Sequence, residues 1–176
     1  MEYPSPVLEP AHESDSAQGS EALAARSAVP VLITASSAAR AEGLARRIHV
    51  ASGRASLPLI RACAGALPVD SEMLRQTCWN LVQVANGGSL LFTCIEDMPG
   101  GVQEQLIELL GDLQRSMPAS RSARLMAGTT VSLYDRIADG TFSTRLFYRL
   151  NVIHLVLDDA VPVADRRRHA RWRDHQ

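Results

Sequence analysis

The sequence predicts an α/β domain: a parallel sheet of five strands with helices on both faces. Three observations predict it. Five short, almost continuously apolar runs recur through the middle of the chain, as strands buried on both sides do. Segments with a 3.6-residue apolar period separate them. The two kinds of segment alternate instead of clustering, which implies crossover connections and parallel strands. With 176 residues, 46% apolar and 21% charged, the chain is long enough for about one domain with a real core.

The elements follow in order. Residues 1–28 carry Pro4, Pro6 and Pro10, several serines, and Glu2, Glu9, Glu13, Asp15 and Glu21 against a single Arg26. That composition buries little, so it reads as a flexible acidic leader, with a short helical turn at 20–26. Strands are expected at Val29–Thr34, Leu57–Ala62, Ser89–Ile95, Arg124–Thr129 and Val152–Leu157. A helix over Ala41–Ala51 turns Leu44, Ala45 and Ile48 inward. Asp70 has the chemistry of an N-cap for a helix through Val84, with Met73, Leu74, Cys78, Leu81 and Val82 on one broad side. Gly101–Gln114 has the clearest helical pattern, with Val102, Leu106, Leu109, Leu110 and Leu113 on one stripe. The domain is thus expected over 29–157, followed by an Arg-rich tail, 158–176, holding Arg166, Arg167, Arg168, Arg171 and Arg173.

Composition excludes whole chemistries. All 18 basic residues are arginine, so no Schiff base and no phosphate-binding lysine can form. The formal charge of −1 provides no global attraction to nucleic acid or membrane. The Arg-rich tail could contact nucleic-acid phosphates, and a merely solvated tail is the plainer reading. Cys63, Cys78 and Cys94 form no C-x-x-C and no zinc spacing, so no metal is expected, and reduced cytoplasmic thiols are. No apolar run approaches the ~20 residues that span a bilayer. His49 and His154 read as core or edge histidines and Trp79 as core, with a docking surface as its alternative. Cys94 reads as an inert buried thiol.

Val31-Leu32-Ile33-Thr34 followed by Ala41-Glu42 and Ala45-Arg46-Arg47-Ile48-His49 resembles the Walker A region of sigma-54-dependent transcription activators, which are AAA+ ATPases. The likeness continues through Ala66-Leu67-Pro68, Asn86-Gly87-Gly88-Ser89-Leu90-Leu91-Phe92, Ile95-Glu96-Asp97-Met98-Pro99 and Arg124-Leu125-Met126-Ala127-Gly128-Thr129. It ends at Phe142 and Leu146-Phe147-Tyr148-Arg149-Leu150-Asn151-Val152. The resemblance implies an AAA+, P-loop-NTPase-like sheet flanked by helices.

The departures fall on the chemistry. Where the family has the three P-loop glycines this chain has Ala35, Ala38 and Arg40; where it has the lysine, Ala41; Glu42 matches. Glycines let backbone N–H groups approach phosphate oxygens, and the lysine neutralises their charge. Arg40 can still meet an anion at that helix start. The Walker B acids, which organise Mg²⁺ and the attacking water, correspond to Thr93 and Cys94. The residue that contacts the γ-phosphate corresponds to Thr130. Of the two arginines presented to a neighbouring subunit, the first aligns with Ser143 and the second with Arg149, which reads as a trans arginine finger or as a structural anchor.

Only 18 residues separate Pro68 from Gly87, where the family inserts the GAFTGA loop that touches sigma-54. Direct sigma-54 contact is therefore not expected, and neither is the family's helical lid after Leu157. The expected function is a nucleotide-incompetent relative, without catalytic residues or cofactor, that regulates transcription through protein contacts. Its expected partner is an intact activator or further copies of itself. The alternatives are a residual ATP-binding module, the one case in which ATP and Mg²⁺ enter, and a decaying gene product without activity.

Overall fold

A computed structural model describes residues 12–116 and 122–157. The elements are α1 (His12–Arg26), β1 (Val31–Thr34), α2 (Ala38–Val50), β2 (Leu59–Cys63), α3 (Ser71–Ala85), β3 (Ser89–Thr93), α4 (Gly100–Ser116), β4 (Arg124–Thr129), α5 (Leu133–Ala138), α6 (Thr144–Leu150) and β5 (Ile153–Val156). Single 3-10 turns, Ala64–Ala66 and Ile95–Asp97, follow β2 and β3. The five strands form one sheet in the order β2-β3-β4-β1-β5, every pairing parallel.

Strand alternation divides the core in two. Leu32, Leu90, Phe92, Leu125 and Ala127 face α3, α4 and α6, packing on Leu74, Cys78, Val82, Leu106, Leu110, Leu146, Phe147 and Leu150. Val31, Ile33, Leu91, Met126 and Leu155 face α2 and α1, packing on Leu44, Ala45, Ile48 and Ala24. Both faces are covered, so the strands read as unbroken apolar runs rather than as alternating ones. Burial of those side chains, at roughly 25 cal/mol per Å² of apolar surface removed from water, is the main force holding the layers together.

Several boundaries differ from those the sequence predicts, each for a physical reason. The acidic leader is not wholly irregular: α1 runs to Arg26, with Ala24 and Ala25 buried. Small side chains in Ala22-Leu23-Ala24-Ala25 allow close docking, and Glu21 reaches Arg47 of α2 at 3.1 Å. Residues 1–11 and the Arg-rich tail lie outside the described residues. Helix α2 begins at Ala38, three residues early, because Ser37 caps it. Strand β2 starts only at Leu59, after Pro58, which has no N–H to donate. The Pro58 carbonyl instead accepts from Ser89 and sits so close to Gly88 that no Cβ fits there.

Strand β3 ends at Thr93, because Cys94 takes a left-handed conformation at φ 52°. Met73 and Trp79 are not core: they are 62% and 40% exposed. The buried stripe of α3 is Leu74, Cys78, Val82 and Ala85, narrower than the broad side its composition suggests. Cys78 sits in that stripe, where burial pushes its thiol up to about 11.

At the opposite end of the sheet from the strand carboxyl ends, two arginines gather backbone carbonyls. Arg124, 2% exposed, donates through Nη2 to the Ala24 carbonyl and through Nε to that of Val29, at 3.3 Å. Arg54 donates to the carbonyls of Gly87, Gly88 (3.3 Å) and Ser122 (2.8 Å). Arg124 thereby caps the end of α1, where a helix leaves acceptors unpaired and the dipole favours a cation, and Arg54 ties the turn after α3 to the segment before β4.

Candidate functional site at the carboxyl edge of the sheet

In open parallel sheets, ligands bind beyond the carboxyl ends of the strands. The predicted positions gather at that edge: 35–42 after β1, 93–94 after β3 and 130 after β4.

The β1–α2 connection is short and self-satisfied. Ala35 is fully buried, and its N–H donates to the Thr129 carbonyl at 3.0 Å, so it extends the sheet. Ser37, with φ −155° and ψ 156°, is the N-cap of α2; its side chain accepts from the Arg40 N–H at 3.4 Å. Its carbonyl accepts from the N–H groups of Arg40 and Ala41, each at 3.1 Å. Ala41 is 1% exposed and packs on β4: a Cβ built at Gly128 would lie 3.1 Å from the Ala41 Cβ. Glu42 turns away to Arg61 of β2 (2.8 Å) and Arg46 of its own helix (3.3 Å). Arg40 is exposed in the first turn of the same helix.

At the end of β3, Thr93 is 8% exposed and its hydroxyl donates to the Ala62 carbonyl at 3.4 Å. Cys94 is half-buried rather than fully buried, and it lies just past the strand. Burial first, then the charges of Glu96, Cys63 and Asp97, hold its thiol above the usual range. Neither residue supplies a carboxylate. The nearby carboxylate is Glu96, whose Oε1 accepts from the Thr130 N–H at 2.9 Å and hydroxyl at 2.6 Å. Its Oε2 is buried without a hydrogen-bond partner. This pairing is not legible in the sequence; its only signal is an acid three residues past a buried strand.

Farther along, Ser143 caps α6: its hydroxyl accepts from the Leu146 N–H at 3.4 Å and donates to Glu104 at 2.7 Å. Leu146, Phe147 and Leu150 bury one side of α6, and Phe147 meets the Tyr134 ring edge-on at 5.0 Å. Arg149 is half-buried in the last turn of that helix, while Arg145 and Tyr148 face solvent. His154 pairs with the Thr34 hydroxyl at 2.9 Å, an edge-strand contact. Among the described residues, no three His, Cys, Asp or Glu side chains group as a metal site, and no helix is long and apolar enough to cross a membrane.

The model of the sigma-54 interaction domain matches residues 75–156. The regulatory protein AtoC of Escherichia coli (strain K12) is 35% identical over 164 residues, covering 81% of this chain and 34% of AtoC. The DNA-binding transcriptional regulator NtrC of the same strain is 33% identical over 160 residues, again 81% of this chain and 34% of the relative. The chain thus spans about a third of the length of these curated relatives.

Among solved structures, NtrX from Brucella abortus in complex with ATP superposes with a TM-score of 0.68 at 23% identity, covering 87% of this chain and 38% of that one. The P-loop NTPase domain of a sigma-54 activator from E. coli superposes at 0.63 and 16% identity, covering 89% and 99%. At those identities the superpositions speak to the fold alone, a P-loop NTPase sheet flanked by helices. The sequence matches, a family model over residues 75–156 and relatives 33–35% identical over 81% of this chain, identify it as a sigma-54 activator AAA+ domain, the sigma-54 interaction domain.

Proposed function

We propose that this domain is a nucleotide-incompetent member of its family that acts in transcription regulation, in the cytoplasm, through contacts with other proteins. The observation that carries the reading is the start of α2. A phosphate cradle needs free backbone N–H groups and a cation, but here the N–H groups of Arg40 and Ala41 are spent on Ser37 and the lysine position is a methyl group packed on Gly128. The donor set offers Mg²⁺ little either: Thr93 and Cys94 carry no carboxylate, and Glu96 spends Oε1 on Thr130 and has only Oε2 left, far short of an octahedral oxygen shell.

Phosphoryl transfer is catalysed almost entirely by positioning and charge stabilisation, so losing those groups together removes turnover rather than slowing it. The test is Mg·ATP titration by calorimetry with a coupled turnover assay on the purified protein. No heat of binding and no turnover above a mock preparation are expected; saturable ATP binding overturns the reading. The partner in this proposal is an intact activator, or further copies of this chain, met through α6. The segment between Pro68 and Gly87 is too short for a sigma-54-touching loop, so addition of this protein alone is expected to open no sigma-54 promoter.

A further inference from the structure

We propose that Cys63 and Cys94 are an oxidation-sensitive pair that closes an intramolecular disulfide when the protein meets a hydroperoxide. Cys63 ends β2 in register with Thr93 of β3, and Cys94 is the next residue. Adjoining strands are about 4.8 Å apart with a rise of about 3.3 Å, so residues one step out of register lie about 6 Å apart between Cα atoms. That falls inside the roughly 4.4–6.8 Å span a disulfide accepts.

In a regular strand Cys94 would point to the face opposite Cys63. The left-handed backbone at Cys94, a conformation that side chains other than glycine seldom adopt, breaks that alternation at this residue. The two turns that follow are pressed together, since a Cβ built at Gly65 would lie 3.2 Å from the Asp97 Cβ. Cys63 also contributes to the electrostatic environment that raises the Cys94 thiol. With no third ligand grouped beside them among the described residues, two thiols suit a disulfide rather than a metal.

Exposure assigns the roles. Cys63 is exposed and meets the oxidant; Cys94 is half-buried and held protonated by burial and the neighbouring carboxylates. The Cys63 thiolate attacks the peroxide oxygen, giving a sulfenic acid and releasing the alcohol, or water from H2O2. The Cys94 sulfur then attacks the sulfenic sulfur; the S–S bond forms, hydroxide leaves, and the Cys94 proton completes it to water. A thiol reductant reverses the bond. The inference is independent of whether nucleotide binds.

The experiment treats the full chain with hydrogen peroxide, blocks free thiols, and maps non-reduced peptides by mass spectrometry. A Cys63–Cys94 linked peptide, retained in Cys78→Ser and absent from Cys94→Ser and Cys63→Ser, is expected, together with a raised melting temperature that dithiothreitol reverses. In Cys94→Ser, Cys63 is expected to accumulate as trapped sulfenic acid. Links that join only separate molecules, links through Cys78, or two unlinked oxidised thiols in the folded wild type would overturn the proposal. The wild-type map alone decides this, even if a serine variant fails to fold.

Discussion

Glu96 holds Thr130 with a single oxygen: Oε1 takes the backbone N–H at 2.9 Å and the hydroxyl at 2.6 Å, tying the turn after β3 to the end of β4. Charge-assisted hydrogen bonds contribute about 1.5–3 kcal/mol, and leaving a part-buried donor unmet costs a similar amount. Glu96→Ala is expected to lower unfolding free energy by about 2 kcal/mol in urea melts, and Thr130→Val by about 1 kcal/mol. A double-mutant cycle is the discriminating measurement. Strict additivity of the two losses would show that the contact does not contribute.

The fold was largely legible because its information is local: apolar runs buried on both faces, the Asp70 cap, and the Val102–Leu110 stripe each announce themselves within a short window. What was not legible depends on partners distant in sequence. Nothing near Glu21–Arg26 reveals that Arg124 will collect the Ala24 carbonyl a hundred residues away, so composition alone suggested a loose leader. The resemblance assigns the site positions to the segments after β1, β3 and β4, and these lie together at the carboxyl edge of the sheet. Their condition was less visible: the cap at Ser37, the left-handed turn at Cys94 and the Glu96–Thr130 pair are backbone or long-range facts.

Arg124 offers the test of that docking. Its guanidinium is buried against the end of α1, with Nη1 lacking a hydrogen-bond partner. Arg124→Ala removes donors from the Ala24 and Val29 carbonyls and frees the last turn of α1. A loss of about 1–3 kcal/mol is expected, with amide exchange accelerating first in residues 20–27. Uniform acceleration across the sheet, with α1 unaffected relative to the rest, would contradict the capping role.

His49 predicts how stability responds to pH. Its Nε2 lies 3.0 Å from the Leu57 carbonyl and must be the protonated nitrogen, leaving Nδ1 to accept from the Ser89 hydroxyl at 2.9 Å. Burial holds its pKa below the ordinary 6.5, opposed by the Leu57 bond and reinforced by Arg124, Arg46 and Arg54. A depressed histidine pKa means the unfolded chain binds the proton more readily. The stability His49 contributes is therefore full above pH 6.5 and is lost as pH falls from there towards the lowered folded value. Urea midpoints between pH 5 and 7.5 should show this slope, and His49→Gln should flatten it. An unchanged slope in the variant would assign the effect to another group.

Ala41→Lys asks whether the missing lysine is the only obstacle to nucleotide binding. Were it so, one substitution would restore measurable ATP affinity. The geometry argues otherwise, because position 41 lies inside the first turn of α2 and not at its entrance. Its N–H is bonded to Ser37, and its methyl group is packed against Gly128. A lysine stem there must displace α2 from β4 or bend out of the interface, and overpacking of this kind costs about 1–3 kcal/mol. The expected result is a lower melting temperature with no ATP binding in calorimetry and no turnover. A combined Ser37→Gly, Ala38→Gly, Ala41→Lys variant loosens the cap as well and separates cap from charge. ATP binding only in the triple variant would locate the block in the backbone of 35–41. Restoration by Ala41→Lys alone would show that the cap does not close the site.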